Sequence, residues 1–223
     1  MTLARTTILS LTAFMGLFFQ PPVPVEKEPQ HHVKFKNKYV RVLEITFPVG
    51  YTTLLHSHSY DNVVIALSNG KLKGQKVGGQ PTESNPKPGN ASFSKAPFAH
   101  QITNTGETIL RYVTVELLNS SATINASPSL IPITDKNIIV DNERTRITKL
   151  SLSPGETTKV FDKKLPGIFV IVSPAKITIN SPGHKLETRK TRQGEYFWHN
   201  LTSGDVIKNL DSTNLEAIVI EVK

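Results

Sequence analysis

The 223-residue chain has no cysteine. This excludes disulfides, thiolate metal sites and cysteine nucleophiles together, and it leaves the redox compartment open. No apolar run reaches the ~20 residues that a membrane-spanning helix needs. The nearest approach, Thr7 to Phe19, is mostly apolar, uncharged and preceded by Arg5. A basic flank and a short apolar stretch read as a secretory signal. Residues 1–20 are therefore expected to be a signal peptide or short anchor, and the protein to be exported (periplasmic, secreted or cell-surface), without stable membrane insertion beyond that segment. A hydrophobic arm on a cytoplasmic protein is the alternative. Phosphate-binding glycine loops, dinucleotide fingerprints and Gly-x-Ser-x-Gly elbows are all missing. Acidic residues are the minority, 18 against 26 Lys and Arg, for a net charge of +8. The basic residues are scattered (Lys34, Lys36 and Lys38; Lys71 and Lys73; Lys185, Arg189, Lys190 and Arg192) and accompany no nucleic-acid motif, so nucleic acid is not an expected partner. The surplus reads as solvated surface, with an anionic ligand as the sharper alternative.

What is present is a repeat. Displaced by 105 positions, the chain aligns on itself without a net gap: Asn37 falls on Asn142, Arg41 on Arg146, Gly50 on Gly155, Gly89 on Gly194, Asn104 on Asn209 and Glu116 on Glu221. Two units of roughly 85 residues bury modest cores and are expected to pack on each other. Residues 21–34, rich in Pro and Glu and ending in His31-His32, read as a linker with solvated histidines. Residues 119–138, rich in Ser, Thr, Asn and Pro, read as the connection between units 35–118 and 139–223.

Every strong local signal is for strands. Val40–Phe47 alternates with β-branched residues, Val63–Leu67 is a continuous apolar run, Asn69-Gly70 is a hairpin-turn signal, and Ile109–Leu117 closes the first unit. Thr145–Leu152, Ile168–Val172, Lys176–Asn180 and Leu215–Val222 mirror them. The expected class is all-β, a sandwich or small barrel in each unit.

His56 and His58 stand two apart, which on a strand places both rings on one face. With His100 from a distant strand they can converge on a divalent metal. At the same offset the second copy has Phe161, Lys163 and Asp205, with Gly167 opposite Asn62, and no three-histidine site can form there. His184 follows Pro182-Gly183 in a turn, and His199 beside Trp198 reads as packing.

The frame around these histidines resembles the cupins. Gly50 is followed after five residues by His56-Ser57-His58, and Gly89 stands eleven residues before His100, with Asn104 four residues further on. The resemblance covers both halves and implies two tandem cupin-type β-barrels (double-stranded β-helix, or jelly roll), a bicupin with one divalent metal in the first barrel. Iron is the first expectation, with manganese, zinc or nickel as alternatives. It departs from the family at the glutamate ligand, whose place is taken by Asn62 or, counted one further, Val63. Asn62 is then the fourth ligand or the holder of a water, and Tyr60, Asp61, Phe98 and Asn104 are pocket candidates. A three-histidine site leaves the ion its full +2 charge, a stronger Lewis acid that attracts anions.

The expected function is that of a metal-dependent dioxygenase or isomerase on a small organic molecule. A non-catalytic exported module that binds a sugar or anion, or a structural bicupin, is the alternative. The resemblance also implies pairing of barrels, between the fused copies or in a homodimer.

Overall fold

A computed structural model describes residues 21–119, 137–158, 166–199 and 206–223. The expected signal at 1–20, most of the connector at 119–138, and Phe161, Lys163 and Asp205 lie outside the described residues.

The first unit contains β1 (Val23–Pro24), a 3-10 turn (Val25–Lys27), β2 (His31–Lys36), β3 (Val40–Phe47), β4 (His56–His58), β5 (Asn62–Ala66), β6 (Leu72–Lys76), β7 (Thr82–Ser84), β8 (Ala91–Ser94), β9 (Phe98–Asn104) and β10 (Leu110–Leu117). The second contains β11 (Ile138–Asp141), β12 (Thr145–Leu152), β13 (Gly167–Ser173), β14 (Lys176–Asn180), β15 (Glu187–Lys190), β16 (Tyr196–His199), β17 (Val206–Asn209) and β18 (Leu215–Val222). The expected all-β class is the observed one. In the first unit, sheets β1-β4-β9-β6-β7 and β2-β3-β10-β5-β8 face each other, and in the second β11-β12-β18-β13-β16 faces β15-β14-β17. Each unit is a two-sheet jelly roll whose sheets do not join into a closed barrel. Among the described residues no helix is long and apolar enough to cross a membrane.

The repeat in sequence is a repeat in structure, because the residues that recur serve the main chain. Asn104 and Asn209 are fully buried. The Asn104 amide donates to the carbonyls of Phe47, Pro48 and Thr108 and accepts from the Gly106 N–H. Asn209 does the same with Leu152, Ser153, Thr213 and Asp211, each 105 positions on. Such a side chain satisfies turn groups that burial would otherwise leave unpaired.

Strands with continuous apolar runs are covered on both faces. On β10, Val113, Val115 and Leu117 enter a core shared with Ile218, Ile220 and Val222 of β18, and this core joins the two units. On its other face, Tyr112 packs with Leu43, Ile45 and Phe47 inside the first unit. The units meet about a pseudo-twofold: a Cβ on Gly89 would lie 3.4 Å from Val172, and one on Gly194 would lie 2.8 Å from Leu67, residues exchanged by the 105-residue shift. Both glycines also hold positive φ, 83° and 81°, so a side chain at either is strained, and at Gly194 it is crowded as well. The two units thus pack on each other within the chain.

Two expectations are corrected. Residues 21–34 are not a linker. β1 pairs in parallel with β4, Val23 opposite His56, β2 pairs with β3, and Val25, Glu28 and His31 are buried. The polar, proline-bearing segment fits because β1 and β2 are edge strands, where one face and one set of main-chain groups meet solvent. Asn69-Gly70 does not close a hairpin either: β5 and β6 lie in different sheets. Gly70 is needed for close approach, since a Cβ there would lie 2.3 Å from Leu110 Cδ2.

Candidate metal centre

β4 and β9 set the site. His56 lies directly opposite His100 and His58 opposite Phe98, and the period of two places His56 and His58 on one face. One ring nitrogen of each histidine lies within 4.8 Å of the others. The Nε2 atoms of His56 and His100 are 2.9 Å apart, and those of His58 and His100 are 3.2 Å apart. Bonds of ~2.1 Å to one ion place two nitrogens ~3.0 Å apart at a right angle and ~3.4 Å apart at a tetrahedral angle, so both separations suit a common ion.

His56 and His58 are buried and His100 is half-buried. Burial pushes the His56 imidazole down to about 4; the Leu54 carbonyl opposes this and His31 and His58 reinforce it. Burial, with His56 and His58 close by, pushes His100 down to about 2. Both rings are therefore neutral near pH 7, as ligands must be. His56 Nδ1 lies 2.9 Å from the Leu54 carbonyl, which fixes Nδ1 as the donor and frees Nε2.

His58 and His100 of the triad stand at one side of a cavity of about 90 Å³ lined also by His31, Ile45, Phe47, Val64, Leu72, Ile102, Tyr112 and Thr114. Its walls are mostly aliphatic and aromatic. Five buried polar atoms of this unit have no hydrogen-bond partner: His58 Nδ1, Asn62 Oδ1, Tyr112 Oη, Thr114 Oγ1 and Glu116 Oε1. Each buried orphan calls for a partner, and a bound ion or water beside the triad is one kind. The donor set and these orphans fit a divalent ion held by the three histidines.

The other sequence candidates fall into two groups. Phe98 stacks on the His58 ring at 4.8 Å and meets His100 edge-on at 5.2 Å. Asn62 is buried in β5, its amide 3.4 Å from the Tyr60 carbonyl. Tyr60 is exposed, with the Arg41 guanidinium 5.8 Å from its ring. Asp61 accepts from the Ala96 N–H and pairs with Arg144 at 3.1 Å, which commits its carboxylate to the seam between units. Asn104 is committed to the turn described above.

Three buried groups beside the triad were not singled out from sequence. His31, tilted against His56 at 4.8 Å, pairs with Glu28, which also accepts from Tyr51 Oη at 2.7 Å and the Gln30 N–H. Burial pushes the Glu28 carboxyl up, but Tyr51, His31 and Gln30 together hold it below its ordinary value. Burial lowers His31, and Glu28 opposes this. Glu116 is fully buried between Arg41 and His58. The signal for Glu116 was available: on β10 the polar Tyr112, Thr114 and Glu116 share one parity, opposite Val113, Val115 and Leu117. No comparable signal marks His31 inside a segment that reads as linker.

Among the described residues, the second unit carries other side chains at interior positions near the first unit's cavity. Val64 corresponds to Phe169, Ala66 to Ile171, Gly74 to Ile179 and Thr114 to Val219, all four buried in an apolar core. Phe169 stacks on Phe197 at 5.1 Å.

No family model and no curated protein matches the chain. Solved structures do. A salicylate 1,2-dioxygenase from Pseudaminobacter salicylatoxidans superposes with a TM-score of 0.62 at 11% identity, covering 90% of this chain and 78% of its own. An oxalate decarboxylase from Lactobacillus farciminis, solved as a formate complex, gives 0.60 at 12%, covering 86% and 84%. AerE from Microcystis aeruginosa gives 0.59 at 13%, covering 88% and 98%. At these identities the likeness is one of fold.

Proposed function

Taking the chain as a protein of the duplicated cupin fold, we propose that its first unit holds one divalent metal ion on His56, His58 and His100 and acts there on a small organic molecule, by oxygenation or isomerisation. The observation that carries this is the convergence of three imidazole nitrogens beside a mostly apolar cavity of about 90 Å³. A bound ion with an open position would supply Lewis acidity or redox chemistry. The chain's own residues supply the rest. Leu54 fixes His56, the Phe98 ring backs His58 and His100, and Ile45, Phe47, Leu72 and Ile102 keep water from the ligand's apolar part. Three neutral ligands leave the ion its +2 charge, which favours an anionic group on the substrate. Two structural neighbours are named for salicylate and oxalate, and this supports a small organic acid. Iron is the first candidate metal, followed by manganese, zinc and nickel.

The second unit serves as the partner that covers the shared face of the first. Export belongs to the proposal as well, and N-terminal sequencing of protein recovered from the periplasm or medium tests it.

A second reading, a non-catalytic binding module, draws on Asn62, which leaves the site without the carboxylate of the family motif. Oxygen uptake and product analysis of iron-loaded protein with a panel of small carboxylic acids separate the two. Turnover abolished by His100→Ala supports the enzyme. Calorimetric binding without turnover in any metal form supports the module.

A further inference from the structure

We propose that Glu116 is the positioning residue for His58: its carboxylate holds the imidazole with the proton on Nδ1 and turns Nε2 toward the metal. This role rests on the metal reading above and on two buried orphans. His58 Nδ1 and Glu116 Oε1 each have no hydrogen-bond partner, and they lie 3.7 Å apart. A small movement of one ring closes that gap to a normal charge-assisted hydrogen bond. Glu116 has its other oxygen, Oε2, held by Arg41 Nε, and Arg41 Nη2 reaches Glu26 at 3.4 Å. The carboxylate is thus fixed from behind, with one oxygen left over for His58. The Arg41 guanidinium bound to Oε2 favours the carboxylate form, which can only accept.

The arrangement completes a pattern. His56 is oriented through Nδ1 by the Leu54 carbonyl; Glu116 does the same for His58. Residue 116 also sits directly across the sheet from Asn62, the position where the motif's glutamate is missing. The site therefore keeps a carboxylate one strand away, where it acts through a ligand instead of on the ion. Partners of this kind fix tautomer and ring orientation, and their loss costs ~10- to 100-fold in metal affinity.

The repeat provides an internal control. Glu221 occupies the equivalent place in the second unit, buried, with Arg146 Nη1 4.0 Å from it. If the Arg–Glu pair serves only the fold, Glu116→Gln and Glu221→Gln are equivalent. If Glu116 positions His58, only Glu116→Gln affects metal. The glutamine oxygen goes to Arg41, and its NH2 then faces Nδ1 and favours the wrong tautomer.

Zinc affinity of the full chain, measured by competition with a chelating dye, is expected to fall ~10- to 100-fold in Glu116→Gln and to stay within about twofold of wild type in Glu221→Gln. Long-range 1H–15N NMR of the zinc-loaded wild type, which needs no variant, is expected to show His58 protonated at Nδ1 and bound through Nε2. Equal affinities in the two variants, or His58 bound through Nδ1, overturn the proposal while leaving the metal site standing. A wild type that binds no zinc, manganese, nickel or iron overturns the metal reading, and this inference with it.

Discussion

Replacing Asn104 with alanine tests whether this residue of the metal-site motif belongs to the metal or to the fold. Its amide donates to three main-chain carbonyls, those of Phe47, Pro48 and Thr108, and accepts from the Gly106 N–H, all in the interior. The two amide hydrogens and one oxygen amount to about three hydrogen bonds, worth ~1 kcal/mol each net, and the groups left behind add a desolvation penalty of ~1–3 kcal/mol. The expected loss is ~4–6 kcal/mol, a large part of the ~5–15 kcal/mol that stabilises a typical domain. Asn209→Ala removes the same bonds from the second unit and is expected to cost the same within ~1 kcal/mol, since both units share one core. Urea denaturation followed by the fluorescence of Trp198, the only tryptophan, reads both. Folded Asn104→Ala is expected to keep its metal. A loss below ~1 kcal/mol refutes the structural account. So does folded Asn104→Ala protein that has lost its metal while Asn209→Ala keeps it.

Acid is expected to destabilise the metal-free protein early. Unfolded imidazoles take up protons near 6.5, but folded His56 does so only at about 4. The unfolded state therefore binds more protons in that window, and stability is lost as pH falls from 6.5 toward 4, by ~3 kcal/mol from His56 alone. Denaturation curves across that range check this, and a flat profile contradicts it. Val64→Phe places in the first unit the residue that its counterpart, Phe169, places in the second. It is expected to cost ~1–3 kcal/mol by overpacking, to fill the cavity and to abolish ligand binding while metal content stays unchanged. Calorimetry with the ligand of the wild-type protein tests it, and undiminished binding shows that the cavity is not the ligand site.

Much of this was legible in the sequence, for a physical reason. The residues that recur at 105 positions (Gly50 and Gly155, Gly89 and Gly194, Asn104 and Asn209) serve backbone conformation and turn satisfaction, which a duplicated fold keeps after chemistry is lost. His56, His58 and His100 stood out because a period of two and one distant strand suffice to bring them together. The N-terminal strands were not legible, because Pro22, Pro24 and the lysines of β2 suit an edge strand as well as they suit a linker. Asn69-Gly70 carries the dipeptide of a hairpin, but Gly70 is there for its contact with Leu110, a long-range packing fact. The apolar interior of the second unit was hidden in swaps such as Val64 for Phe169, which have meaning only once each residue is assigned to the interior face. Glu116 was visible as a repeated residue, and its place behind His58 required the register of β10 against β5.

The central claim is a metal on three histidines, and metal content per chain, by plasma mass spectrometry on protein purified without a histidine tag and offered iron, manganese, zinc and nickel, tests it most directly. The account predicts about one ion per wild-type chain and none in a folded His56→Ala/His100→Ala variant. A folded wild type that carries no metal, or a double variant that keeps it, contradicts the account.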